Sequence, residues 1–249
     1  MNRKTRTVIL LGMMTIAAIA LAGTQPKFTS LFNGKDLAGW EGIPELWKVE
    51  DGQIVGTTAG HPIEANTFLI HKTLKVGDFH LKAKLKMLGD CNSGIMYRAQ
   101  PLDGVPFAQS GPQMDIHPNP EFQGMYYSEK TGRGIVARRG QKVTVPPELN
   151  AKGKSTPKVT GTFPAEPVFN PAEWNEYEII AVGNRSIHKI NGVVTVDVVD
   201  NDPRTLPSGA IGFQLHKGPE MTIFVKDVEI RHLSGAEGAK AIEAATVSD

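Results

Sequence analysis

Between residues 78 and 87, apolar and polar side chains alternate almost without a break. Phe79, Leu81, Ala83, Leu85 and Met87 are set against His80, Lys82, Lys84 and Lys86. Successive strand residues point to opposite faces, so this period of two defines a β-strand with one dry side and one wet side. A lysine-rich outer face suits a sheet surface that meets water, and His80 on it has no expected task. Two dipeptides extend the pattern. Asp51-Gly52 separates Trp47 and Val49 from Ile54 and Val55, and Asn191-Gly192 divides residues 186–199. Both suit type I′ hairpin turns. A two-residue loop in the second hairpin pairs Ile190 with Val193, His188 with Thr195 and Ser186 with Asp197. Ile187, Val194 and Val196 then share the other side.

Further strands are expected over residues 92–98, 111–117, 174–182, 210–216 and 221–230. Pro and Gly punctuate irregular segments at 100–111 and 145–171, and beyond Leu233 a short helix or a disordered tail is expected over 234–249. Glu129, Arg133 and Arg138 fall in a Gly-rich connection and read as solvated. Many strands and little helical periodicity give one all-β domain, an antiparallel sandwich.

The first residues stand apart. Arg3, Lys4 and Arg6 precede an apolar run that ends in Ala20-Leu21-Ala22. This is the pattern of a secretory signal peptide over residues 1–22, which predicts export to the periplasm or outside the cell. The run falls short of the roughly 20 apolar residues a membrane span needs. Without those three basic residues the formal charge of +1 becomes −2, which argues against a nucleic-acid or anionic-membrane partner. Cys91, the sole cysteine, reads as a small buried residue.

Polar residues gather on particular strand faces. Gln113, Asp115 and His117 share one, Gln214 and His216 share another, and Ser186, His188 and Asp197 share a third, with Arg98 contributing from the strand before Gln113. Amide, carboxylate and guanidinium groups suit the vicinal hydroxyls of sugars, so these faces are expected to line one carbohydrate-sized cleft. Each residue also has a structural reading. Arg98 and Asp115 could form a buried ion pair, and His188 could brace its hairpin through Thr195. Ordinary glycoside hydrolysis calls for two carboxylates, and Gln113-Met114-Asp115 offers one.

Several motifs occur in order: Asn92-Ser93-Gly94-Ile95 with Arg98, Gln113-x-Asp115-Ile116, Gly124 with Tyr127 and Glu129, and Trp174-Asn175-Glu176-Tyr177. Gly183-Asn184 with His188, Asn191-Gly192, and Gly209-x-Ile211-Gly212-x-Gln214-x-His216-x-Gly218-Pro219 complete the set. Across residues 27–233 this resembles the 3-keto-disaccharide hydrolase family. The resemblance implies a concanavalin-like jelly-roll sandwich acting on 3-keto-glycosides, by hydrolysis or by 1,2-elimination and hydration, aided by a divalent metal ion of unspecified identity. A ketone at C3 acidifies the C2 hydrogen, so one base, one acid and an enolate-holding group would replace the carboxylate pair. The roles that follow are His216 or Asp115 as base and Arg98 or a metal at the enolate. Gln113, His188, Gln214, Tyr127 and Glu129 would hold substrate. A non-catalytic carbohydrate-binding module and a structural domain of the cell envelope are the alternatives.

Overall fold

A computed structural model describes residues 27–164 and 166–246; the expected signal peptide lies outside them. In chain order the strands are β1 (Thr29–Ser30), β2 (Trp40–Glu41), β3 (Trp47–Glu50), β4 (Gln53–Thr57), β5 (Thr67–His71) and β6 (Phe79–Leu88). Next come β7 (Ser93–Pro101), β8 (Gln109–Ile116), β9 (Tyr126–Glu129), β10 (Gly134–Ala137), β11 (Gln141–Val145) and β12 (Lys158–Thr162). The remainder are β13 (Asn175–Val182), β14 (Arg185–Ile190), β15 (Val193–Asp200), β16 (Ala210–Leu215) and β17 (Thr222–His232), followed by helix α1 (Gly235–Thr246).

Two sheets stack face to face. One runs β12-β11-β15-β14-β13-β6-β17-β4-β3 with β1 added to β17; the other runs β10-β9-β8-β7-β16-β5-β2. Their inner faces form one core. Ile95, Tyr97, Met114, Tyr126, Phe213 and Leu215 from the second sheet meet Leu81, Leu85, Ile179, Val196, Val198 and Val225 from the first. Strand β6 alternates buried and half-buried residues as expected and sits mid-sheet between β13 and β17. His80 is not idle, since its Nε2 lies 2.8 Å from the Glu178 carboxylate. The strands pair antiparallel except β11 with β15, which run parallel.

Both turn dipeptides adopt the expected conformation, with φ of 50° and 73° at Asp51-Gly52 and 49° and 81° at Asn191-Gly192. The Gly-rich connection after β8 was expected to be solvated loop; it folds instead as β9, β10 and β11, and part of the 145–171 segment pairs as β12. These strands are four or five residues long, too short for alternation to stand out from turn residues. Helix α1 lays Ala241, Ile242 and Ala245 on Ile180, Ile187 and Val194, on the outer face of the larger sheet. Among the described residues no helix is long and apolar enough to cross a membrane.

Candidate active site

The core takes Met114 and Ile116 from β8 and Ile211, Phe213 and Leu215 from β16. Alternation therefore turns Gln113, Asp115 and Gln214 to the outer face of the smaller sheet. There they line a cleft of about 600 Å³ with Tyr127, Glu129, His117 and His216. Gly94 on the intervening strand makes room for them. A Cβ at that position would stand 2.2 Å from the Gln113 amide nitrogen, so Gln113 lies flat only over a residue with no side chain.

The floor is one hydrogen-bonded unit. Gln113 Nε2 donates to Asp115 Oδ1 at 2.8 Å and to Gln214 Oε1 at 3.2 Å, and Gln214 Nε2 donates back to Gln113 Oε1 at 3.3 Å. Asp115 is 1% exposed. Burial raises its carboxyl well above the usual range; the bond from Gln113 opposes the rise and the charge of Glu129 adds to it. Asn66 donates to Glu129 Oε1 at 3.2 Å and holds that second carboxylate in the wall. Burial, then Glu129 and Asp115, keep the Tyr127 hydroxyl protonated.

Two histidines stand half-buried at the mouth with opposite proton placement. His216 Nδ1 lies 2.6 Å from the Lys217 carbonyl, which can only accept, so the neutral ring carries its proton there and Nε2 is a lone pair. His117 Nδ1 accepts from the Asn119 backbone N–H at 2.9 Å, so its proton sits on Nε2 and that atom is a donor. Burial and then the neighbouring His216 lower the pKa of His117, keeping it neutral. One ring offers a base and the other a hydrogen-bond donor.

Two expected members of the site lie elsewhere. Arg98 adopts φ of 48° where the pairing of β7 with β8 shifts register between Met96 and Gln100. The shift breaks the parity that would put Arg98 beside Gly94. Its buried guanidinium donates instead to the carbonyls of Gly77 at 2.9 Å and Gly183 at 2.7 Å and to Asp78 at 3.1 Å, tying loops of the opposite sheet. It does not pair with Asp115. His188 is fully buried between the sheets. Its Nδ1 donates to the Gly124 carbonyl at 3.1 Å and its Nε2 accepts from the Tyr97 hydroxyl at 3.0 Å. A bulge in β15 pairs His188 with Val196 rather than Thr195 and turns Asp197 to the outer face of the larger sheet, where it is buried and Arg185 binds it at 2.7 Å. Gly124 makes this possible, because a Cβ there would stand 2.4 Å from the Thr195 hydroxyl. Arg133 is not freely solvated either; it is half-buried, and its guanidinium pairs with Asp200 at 2.8 Å.

Glu129 is likewise buried rather than solvated and gives the cleft a second carboxyl beside Asp115. Asn66, Phe122, Lys130 and Ile135, which the strand faces did not point to, complete the wall. They arrive from loops and the short strand β10, where no periodicity marks them. Among the described residues, no group of three or more His, Cys, Asp or Glu side chains is arranged to hold a metal ion. An oxygen of each cleft carboxyl is already engaged by an amide. This donor set does not fit the expected divalent ion.

Comparison with known proteins bears on this cleft. Residues 27–231 match the family model described as the 3-keto-alpha-glucoside-1,2-lyase-like domain. Among solved structures, a candidate glycosyl hydrolase from Parabacteroides distasonis superposes with a TM-score of 0.54 at 20% identity, covering 83% of this chain and 94% of its own. A carbohydrate binding module from Bacillus subtilis gives 0.51 at 12% identity over 75% and 91% of the two chains. A Bacillus subtilis protein with a galectin-like fold gives 0.52 at 10%, over 79% and 90%. At these identities the likeness shows a shared sandwich fold, as expected from the strand pattern. No curated protein sequence matches the chain.

Proposed function

Since the chain belongs to the 3-keto-alpha-glucoside-1,2-lyase-like domain family, we propose that its cleft cleaves 3-keto-glycosides by removing the C2 proton and expelling the C1 substituent. Export, through the leader read at residues 1–22, is part of the same proposal. The observation that carries the chemistry is one cleft that holds both a histidine whose Nε2 carries the ring's lone pair and a buried carboxyl whose pKa burial raises.

His216 Nε2 takes the C2 proton. The C–H electron pair becomes a C2–C3 double bond, and negative charge moves to the C3 oxygen. With Arg98 committed elsewhere, the group left to meet that charge is Asp115, a neutral carboxyl able to donate a hydrogen bond. When the C3 carbonyl re-forms, the electron pair moves between C1 and C2 and the C1–O bond breaks. The imidazolium of His216 hands its proton to the departing oxygen, which balances the step. Water added across C1 and C2 then completes a net hydrolysis. Gln113, Gln214, Glu129, Tyr127 and the His117 Nε2 proton orient hydroxyls.

A second reading draws on one observation. Asp115 and Glu129 share the cleft, so a carboxyl pair for ordinary glycoside hydrolysis is at hand. One assay separates the two. Purified protein is given a disaccharide and its 3-keto derivative, and the released sugar is measured. The elimination reading predicts turnover of the keto sugar alone; turnover of the parent disaccharide at a similar rate supports the carboxyl pair instead. The pH profile adds a check on Asp115. Its raised pKa keeps the donor proton at low pH and loses it as pH rises through that value. The wild type should therefore show a falling alkaline limb. Asp115→Asn, whose amide still donates, should be about 10-fold slower and lose that limb; an unchanged limb removes Asp115 from the role.

A further inference from the structure

The turn after β16 carries His216 and is fastened to the connection between β4 and β5. The Gly60 N–H donates to Glu220 Oε1 at 3.0 Å, the Met221 N–H donates to Thr58 Oγ1 at 3.0 Å, and Lys217 Nζ lies 3.2 Å from Glu64 Oε2. That ion pair is exposed on both sides, and pairs of this kind contribute little. Asn66 makes a different contact. Its Oδ1 accepts from the Lys217 backbone N–H at 2.9 Å while its Nδ2 donates to Glu129 Oε1 at 3.2 Å. The N–H can only donate and an ionised carboxylate can only accept, so one orientation of the amide makes both bonds. In the smaller sheet β8, β7 and β16 separate β5 from β9. Asn66, one residue ahead of β5, therefore joins the two sides of the cleft.

Two groups compete for His216 Nδ1. The Lys217 carbonyl lies 2.6 Å away and can only accept, which puts the ring proton on Nδ1 and leaves Nε2 as the lone pair. Cys91 Sγ lies 3.8 Å from the same nitrogen. Burial raises the pKa of that thiol, so it keeps its hydrogen and is a weak donor. If the thiol donated, the lone pair would sit on Nδ1 and the ring proton on Nε2, the atom the mechanism needs bare. Which group prevails depends on where Lys217 is held. Asn66 grips that residue by its N–H, and the ring meets it at its carbonyl. Freeing the N–H lets the carbonyl drift from Nδ1 and gives the thiol its turn.

We infer that Asn66 is a positioning residue for the base: braced on Glu129, it pins Lys217 so that the Lys217 carbonyl stays on His216 Nδ1 and Nε2 stays free to take a proton. The inference rests on the reading that His216 acts at C2, yet the ring tautomer it assigns belongs to the protein without substrate. It also gives Glu129 two tasks, one toward substrate hydroxyls and one toward the residue that holds the base.

Two measurements test it, one of them independent of turnover. In the first, the ring nitrogens of His216 are followed by ¹⁵N NMR in the full chain without substrate, at about pH 8, above the ordinary histidine range. The wild type should carry its ring hydrogen on Nδ1. Asn66→Ala should move a substantial population to the Nε2 form, and Cys91→Ala in that background should move it back. Asn66 is half-buried, so its truncation leaves no large cavity; Asn66→Ser replaces the alanine variant if that one does not fold. In the second, turnover of a 3-keto-disaccharide is measured. Asn66→Ala should lower kcat about 10-fold. Asn66→Asp still accepts from the Lys217 N–H but repels Glu129, so it should keep the Nδ1 form and a kcat within about 3-fold of wild type while KM rises. Glu64→Ala, which removes only the exposed ion pair, should change neither tautomer nor rate. An unmoved tautomer in Asn66→Ala, or an equal shift in Glu64→Ala, overturns the inference. A tautomer shift in Asn66→Ala alone, with no 3-keto-glycoside turned over by the wild type, leaves the positioning role standing and removes the elimination reading.

Discussion

Replacing His216 with alanine is expected to slow C2 proton removal from a 3-keto-glucoside by about 10³-fold, equivalent to about 4 kcal/mol of barrier. Among the cleft's groups, burial pushes the Asp115 carboxyl well above the usual range, Glu129 is held in the wall by the Asn66 amide, His117 Nδ1 is blocked by the Asn119 N–H, and Tyr127 is pushed further from ionisation by burial and carboxylates. His216 Nε2 is the neutral lone pair that remains at the mouth. The ring is half-exposed and its loss leaves no large cavity, so the variant should fold and still be stabilised by substrate. A thermal shift with ligand retained and exchange lost marks a catalytic role. Exchange within about 3-fold of wild type would remove His216 from it.

The second large effect concerns stability. His188 is fully buried and burial lowers its pKa to about 4, against 6.5 for an ordinary histidine. Because the folded pKa is the lower one, the unfolded chain binds the proton first as pH falls. Stability is therefore complete above about pH 6.5 and declines down to about pH 4, by roughly 3 kcal/mol in all. The loss has a structural route, since protonation puts a hydrogen on Nε2, which faces the Tyr97 hydroxyl, and places a charge between Tyr126, stacked on the ring, and Tyr97, edge-on to it. His188→Gln, which cannot titrate, should be less stable than wild type at pH 7. The gap between the two in urea unfolding should narrow by about 3 kcal/mol at pH 4. A gap constant across that range would show that His188 does not carry the acid sensitivity.

These two histidines also show what could be read from the chain. Strand β6, both Asx-Gly turns and the outward set Gln113, Asp115 and Gln214 follow from period-two alternation, which one sequence displays in full. Alternation fails at a bulge. One extra residue in β15 carried Asp197 outward and set His188 against Val196, and the left-handed Arg98 removed a guanidinium from the cleft. No residue type announces either event, because each is settled by what packs against it: Gly124 on Thr195 in one case, the carbonyls of Gly77 and Gly183 in the other. The histidine protons were out of reach for a similar reason. Which nitrogen bears the hydrogen depends on the backbone groups of Asn119 and Lys217, and these are positioned by loops.

The central claim is that an acidic hydrogen beside a carbonyl, rather than a stabilised sugar cation, is what this cleft handles. The most direct measurement is turnover of a 3-keto-disaccharide in D₂O, with the keto sugar product analysed for deuterium at C2 after quenching at low conversion. The account predicts C2 deuteration of product well above that of a no-enzyme control, because the original hydrogen leaves before the C1–O bond breaks. Release of the leaving sugar with the C2 hydrogen retained in the product would contradict it.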